Sequence, residues 1–409
     1  MAAVDNTMRI LIAIPSFYAG TGGAEAFAVS ITKKLTRRGH DIHVVATEGE
    51  TGDGITLRIG NLPEEVRRAR EEMRPDVVVD WGLNVEADLH RLGGGVHAPY
   101  LAKALSAYPV PLRPLKALAY HLAPKHRRTV AREMRFLCRP GARFLAVSHL
   151  VAHDLARTVR LESSRIHVLH NGVDTRRFHP FSGDRRRTAR ERLGLEHDQV
   201  AFVMAAHNLR LKNFVLVRRV FDRLFRVLPE IRLVLVGKRR PHCRAPWLIY
   251  PGATRKPEEI FAAADGMVHP TYYDACANVV LEGLACGLPV LSSNRNGSAE
   301  IITHRQNGFV LPVCGKSPEI TPTWADLVEQ LARDSTWRQK VGMEARELAE
   351  RHSLDEYARD LEAILGHIAA DKAAGKRAEQ GPSRNRPGGR AGRAGARERG
   401  RHRFGEGAT

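Results

Sequence analysis

The sequence offers little for covalent or metal cross-linking. Its five cysteines, Cys138, Cys243, Cys276, Cys286 and Cys314, are an odd number at irregular spacings, with no CxxC pair. That argues against a disulfide framework and against a zinc site. Aromatic residues are only 6% of the chain, and no recognition motif groups them into the stacking platforms of a sequence-reading nucleic-acid binder. No apolar run approaches the ~20 residues needed to cross a bilayer. A signal peptide is also missing, since the apolar run Ile10–Phe17 follows Arg9 directly and no small-residue cleavage pattern comes after it. A cytoplasmic protein is therefore expected. Negative charge is scarce too: 45 Asp and Glu face 64 Lys and Arg, a formal charge of +19. Eleven Lys/Arg and four Asp/Glu place +7 of this on 371–409. The remainder lies on the folded part and favours polyanions: nucleic acid, an anionic membrane face or phosphorylated substrates.

What is present is a repeated β/α alternation in 409 residues, long enough for two domains with separate cores. Arg9–Phe17 reads as a buried parallel strand, followed by the loop Gly20-Thr21-Gly22-Gly23. Ala24–Arg38 has helical spacing, with basic residues in its last turn and Gly39 as its stop. Asp41–Thr47, Asp76–Asp80 and Phe144–Val147 are further strands. The pattern restarts with strands at Val200–Ala205, Ile231–Val236, Leu248–Tyr250, Gly266–His269 and Pro289–Ser292, and helices at Phe214–Val227 and Pro257–Ala264. Two such series imply an α/β protein with two doubly wound, Rossmann-like domains. The arginine-rich run near Phe178–Arg187 is read as their join. The expected division is 1–180, 181–350, a helix over 351–370 returning toward the first domain, and a disordered basic tail over 371–409, where almost nothing is apolar. Trp337–Gly366 reads as a single helical pattern.

Three segments carry candidate chemistry. Gly22 and Gly23 precede a helix, whose free amides attract phosphate. In HNLRLKNF (His207–Phe214), Lys212 stands before a helix, where an ammonium neutralises a diphosphate, and Arg210 offers a second cation. In HPTYYDACANVVLEGLACGLPV (His269–Val290), Asp274 lies in a loop and Glu282, eight residues further on, inside the helix Asn278–Ala285. Glu282 can accept hydrogen bonds from a ribose diol, and the amides of Ala277 and Asn278 can hold a β-phosphate.

These segments resemble the retaining family 4 glycosyltransferases of GT-B fold, two Rossmann-like domains facing a cleft, over nearly all of residues 8–368. HNGVDTRRFHP (His170–Pro180) looks like the family's interdomain segment, and Asp274 and Glu282 occupy its E-x7-E positions, with Asp replacing the first Glu as in the lipopolysaccharide-core glucosyltransferases. Lys212 matches the diphosphate lysine, followed by Asn213 where glycine is usual, and His97 in GGGVHAPYL matches the histidine near the reacting sugar. The resemblance implies hexose transfer with retention and without a metal ion or other cofactor, from a nucleotide-diphosphate sugar, foremost a uridine-diphosphate hexose. Asp274 would orient the donor sugar. The implied acceptor is a lipid-linked or phosphorylated glycan, with no specific nucleic acid as partner. The basic stretch Leu112–Arg143, with nine Lys/Arg against Glu133, is read either as a peripheral surface for the inner face of an anionic membrane or a phosphorylated acceptor, or as an ordinary helix whose apolar stripe Val130, Met134 and Leu137 packs on the first domain's sheet. The stripe is assigned to core and the excess charge to acceptor or membrane. The alternatives are a nucleotide-sugar epimerase on the same fold and a basic nucleic-acid-binding protein.

Overall fold

The computed structural model describes residues 7–18, 23–50, 54–314 and 319–379. Its first half runs β1 (Arg9–Phe17), α1 (Gly23–Arg37), β2 (Asp41–Gly49), β3 (Thr56–Ile59), α2 (Leu62–Met73), β4 (Val77–Asp80), β5 (Leu89–Leu92), α3 (His97–Ala104), α4 (Arg113–Leu122), α5 (Pro124–Leu137), β6 (Arg143–Ala146), α6 (His149–Thr158) and β7 (Ile166–Val168). These strands form one parallel sheet in the order β3-β2-β1-β4-β5-β6-β7. In β1, Ile10 pairs with Ile42 on one side and Val77 on the other. The strand is apolar without alternation because helices cover both faces. Ile10, Ile12 and Ile14 share a core with Ile31 and Leu35 of α1, whereas Leu11 and Ala13 share one with Leu62 and Val66 of α2.

The second half runs α7 (Gly183–Arg192), β8 (Val200–Ala205), α8 (Phe214–Leu224), β9 (Ile231–Val236), β10 (Leu248–Gly252), α9 (Pro257–Ala263), β11 (Gly266–His269), α10 (Asn278–Ala285), β12 (Val290–Ser293), β13 (Phe309–Leu311), α11 (Ile320–Arg333), α12 (Ser335–Arg351) and α13 (Leu354–Glu379). A second parallel sheet has the order β10-β9-β8-β11-β12-β13. Both doubly wound sheets expected from the sequence are therefore present. In each, the strand order reverses beside the first strand of its series, which opens a crevice at the carboxyl ends.

The arginines read near the join fall largely in α7, the first element of the second series, where Arg186 pairs with Asp265 at 2.7 Å and the buried Arg190 donates to the carbonyls of Ala263 and Gln199. Two local expectations differ. The pattern over Trp337–Gly366 is two helices, because the chain between them pairs with the segment linking the sheets: Val173 N–H donates to His352 O (2.9 Å) and Leu354 N–H to Val173 O (3.0 Å). Gly172 is required at this crossing, since a Cβ there would meet the Ser353 carbonyl oxygen at 2.7 Å. Beyond it, Leu354, Tyr357, Leu361 and Leu365 of α13 join the core of β1 and α1. Residues up to Ala369 form one unit and Ala370–Thr409 a second. The tail expected to be disordered begins instead as the helical end of α13, and 380–409 lies outside the described residues.

Candidate active site

Lys212 is presented by a short turn after β8. Leu211 N–H donates to the Asn208 side chain (3.1 Å) and Lys212 N–H to Asn208 O (2.9 Å). Asn213 then adopts φ 58°, ψ 45°, and its side chain accepts from Leu216 N–H to cap α8. A left-handed conformation is open to Asn at modest cost and free to Gly, which explains how Asn fills a position where glycine is usual.

The ammonium of Lys212 bonds Asp274 and lies 3.4 Å from Nε2 of the buried His269, which closes β11. His269 Nε2 is also 3.7 Å from Asp274. Burial alone would raise the Asp274 carboxyl. Lys212 and His269 outweigh it and hold the group below the usual carboxylate range. Burial, reinforced by Lys212, lowers the imidazole of His269, so it stays neutral. Glu282, half-buried inside α10, behaves in the opposite way: burial pushes it up to about 7, with Arg177 opposing only in part.

The amino ends of α10 and α1 meet beside this cluster. Asn278 Nδ2 donates to Gly23 O (2.9 Å), and Asn171 of the linking segment donates to Asn278 Oδ1 (2.7 Å) and Cys276 O (3.2 Å). Arg91 of β5, only 3% exposed, completes the chain through Nη2 to Asn171 Oδ1 (2.5 Å). Its guanidinium lies over Phe27 and Trp81 and donates to the Tyr357 hydroxyl. Its partners among the described residues are all uncharged. Gly22 falls outside those residues. The Ala277 amide, proposed as free, is instead taken by Asn296 Oδ1 at 3.2 Å. Glu300 accepts from the amides of His149 and Leu150 at the start of α6 (2.7 and 2.6 Å) and contacts Nε2 of His170, the neighbour of Asn171, at 2.8 Å. Arg91, Asn171 and Glu300 were not singled out from the sequence; the one signal was that Asn171 stands in the interdomain motif.

His97 begins α3. Its amide donates to Glu133 (2.9 Å) and its Nε2 lies 3.0 Å from His126 Nδ1, a partner no spacing rule indicated. Burial, then the nearby His126, Lys125 and Arg132, lowers its pKa. The preceding Gly95 has φ 77°, and a Cβ there would fall 2.0 Å from the Tyr273 hydroxyl, so this loop can approach the Asp274 loop only with glycine. Tyr100 of α3 touches both sides, its ring 5.8 Å from His97 and 5.6 Å from Tyr273. Arg210, although two residues from Lys212, has a different neighbour: its guanidinium lies over the Tyr108 ring at 4.8 Å.

Residues 21–177 match the family model described as Glycosyltransferase Family 4, and 198–334 that described as Glycosyl transferases group 1. The chain is 27% identical over 364 residues to a GDP-mannose-dependent alpha-mannosyltransferase of Mycobacterium tuberculosis, covering 80% of this chain and 89% of that one. It is 29% identical over 226 residues to a D-inositol 3-phosphate glycosyltransferase of Xylanimonas cellulosilytica, an alignment spanning about half of each (51% and 52%). The crystal structure of WaaG, a glycosyltransferase involved in lipopolysaccharide biosynthesis, superposes with a TM-score of 0.71 at 18% identity, over 87% of this chain and 99% of that one. The chain is a glycosyltransferase of GT-B architecture, with a family 4 domain in its first half and a group 1 domain in its second.

Proposed function

We propose that this glycosyltransferase moves a hexose from a nucleotide-diphosphate sugar, foremost a uridine-diphosphate hexose, to a phosphorylated or lipid-linked glycan of the lipopolysaccharide-core type, with retention and without a metal ion. The observation that carries this reading is the Lys212–Asp274–His269 cluster, set between the starts of α8 and α10 with Glu282 about one turn into α10. With Asp274 and His269 as neighbours, Lys212 keeps one of its three ammonium protons free and offers it to the leaving diphosphate. The ends of α1 and α10, at Gly23 and Asn278, add their dipoles. Glu282 accepts from the ribose diol, Asp274 orients the sugar, and His97 faces it from the other domain. The acceptor hydroxyl attacks the anomeric carbon from the face the diphosphate leaves, and a leaving phosphate oxygen takes its proton.

A second reading of the donor, a guanosine-diphosphate mannose, is favoured by the mannosyltransferase relative, aligned over 80% of this chain. We also propose peripheral attachment to an anionic membrane. Leu115, Leu118 and Leu122 of α4 are 68%, 53% and 60% exposed and α4 buries no residue, while α5 beside it carries exposed Lys125, Arg127, Arg128, Arg132 and Arg135. No helix among the described residues is long and apolar enough to cross a membrane.

The test is transfer by the purified chain in excess EDTA, with UDP-, GDP- and ADP-sugars offered separately to a lipopolysaccharide-core acceptor. Product of retained configuration from one donor supports the reading. Strict dependence on added manganese would sink the metal-free mechanism, and conversion of donor without acceptor would point to an epimerase.

A further inference from the structure

Two cavities, each of about 640 Å³, flank the contact between Tyr108 and Arg210, which forms their shared wall. Each is of small-molecule size. The inner one lies between the first domain's Tyr100, Tyr108 and Tyr120 and the second domain's Arg210, Arg239 and Arg240. The outer one adds Arg113, Arg218 and Arg219 and opens past Val110, which is 68% exposed. None of the residues lining either cavity is Asp or Glu. The inner cavity adjoins the reaction centre, because Tyr100 packs against both His97 and Tyr273, the neighbour of Asp274. Lys212, the cation of the donor cluster, lines neither cavity.

The wall itself is organised. The Tyr120 hydroxyl donates to that of Tyr108 at 3.4 Å, and Lys116 lies 4.8 Å from the Tyr120 ring and 5.2 Å from that of Tyr108. Both rings line the inner cavity together with Tyr100, and Arg239 and Arg240, both exposed, line it from the second domain. Ring surface packs on the C–H face of a sugar. Guanidinium groups without carboxylate neighbours fork onto phosphate or carboxylate oxygens.

We infer that this two-chambered trough is the acceptor's binding site and that it selects a glycan carrying a phosphate or carboxylate group. Tyr108 and Tyr120 hold a sugar ring, and Arg239 and Arg240, with Arg210, take the anionic group at a distance from the reacting hydroxyl. The inference rests on the reading of Lys212 and Asp274 as the donor side. It moves Arg210 from the donor diphosphate to the acceptor.

The experiment titrates glucose 6-phosphate, glucose and inorganic phosphate into the full chain in buffer with 0.15 M salt (on the order of physiological screening), followed by ligand-observed NMR. UDP and GDP are titrated in parallel by calorimetry. Glucose 6-phosphate is expected to bind at least about tenfold more tightly than either glucose or phosphate, a difference of about 1.4 kcal/mol. In Arg239→Gln/Arg240→Gln that advantage disappears while nucleotide affinity stays within about twofold. In transfer assays the same variant raises acceptor KM and leaves donor KM unchanged. Equal loss of nucleotide binding overturns the inference, because the arginines then serve the donor. Equal binding of glucose and its phosphate, or of phosphate and the sugar phosphate, overturns it too. Retained, arginine-dependent sugar-phosphate binding without turnover from any donor would count against the proposed reaction and leave the site standing.

Discussion

Replacing Lys212 by Met tests whether its pairing with Asp274 is structural, catalytic or both. The two side chains are 18% and 23% exposed. Removing one partner of a fully buried pair costs about 3–5 kcal/mol, and a fully exposed pair contributes about 0–1. The intermediate burial places Lys212→Met at a loss of about 2 kcal/mol, since Asp274 keeps only the neutral His269 beside it. At about 2–4 °C per kcal/mol for domains of this size, the transition should fall by about 4–8 °C. Adding Asp274→Asn removes the orphaned charge and should restore most of that stability. Activity should not follow. Loss of a preorganised donor to the leaving group costs about 2.7–4 kcal/mol, so both Lys212→Met and the double variant should be about 10²–10³-fold slower in kcat/KM. Calorimetry of the ligand-free proteins and initial rates at saturating acceptor measure the two effects. An unchanged transition in Lys212→Met would mean that the ion pair does not form in the free enzyme. Recovery of turnover together with stability in the double variant would refute the role given to Lys212 at the diphosphate.

Donor binding near pH 7 should release part of a proton, because Glu282 is held up to about 7 when free and ribose hydroxyls favour its ionised form. The calorimetric enthalpy should then vary with buffer ionisation enthalpy, and Glu282→Gln should remove that variation. The native state keeps the extra proton between the ordinary value of 4.5 and about 7, so this group's contribution to stability is greatest at low pH and declines across that window. Asn213→Ala should cost about 2 kcal/mol in urea titrations, roughly 1 from the lost cap and 1 from the left-handed backbone, whereas Asn213→Gly should cost only a few tenths. Anionic vesicles should sediment the chain truncated after Ala370 as well as the full chain. Leu115→Gln/Leu118→Gln/Leu122→Gln should abolish the part that resists 0.5 M salt (on the order of a 4–5 Å screening length), and Arg127, Arg128, Arg132 and Arg135 changed to Gln the part that salt releases.

The fold was legible because its signals are local. A strand buried on both faces must be apolar throughout, as β1 is, and a helix of eight residues with a glycine stop can be read at Asn278–Ala285 without knowing its neighbours. The placement of Asp274 and Lys212 in loops and of Glu282 in a helix was legible for the same reason, while the roles proposed for them came from the family resemblance. The helix hairpin α4–α5 divides differently. Leu137 is buried and Met134 half-buried, as a core stripe at helical spacing should be. Leu115, Leu118 and Leu122 have the same kind of spacing and face solvent. Periodicity says that a face is apolar and not what covers it.

The remaining site residues were hidden because their roles are set by partners far away in the chain. Arg91 reaches Asn171, 80 residues on, and Asn171 reaches Asn278, 107 further. Glu300 caps a helix that starts 151 residues before it. A short pattern cannot encode such pairings, and the charge balance of the cleft depends on them. Read from the sequence, Lys212 is the cation that draws in a diphosphate. In the folded protein Asp274 already offsets much of that charge. Arg91 is the opposite case: as a strand residue in LHRL it looks like an ordinary surface arginine, yet it is buried, and its partners among the described residues are uncharged. A buried cation without a carboxylate is costly unless an anion arrives. Its contacts lead through Asn171 to the start of α10, which meets that of α1. A buried cation two hydrogen bonds from the proposed phosphate site is a feature that only the tertiary structure identifies.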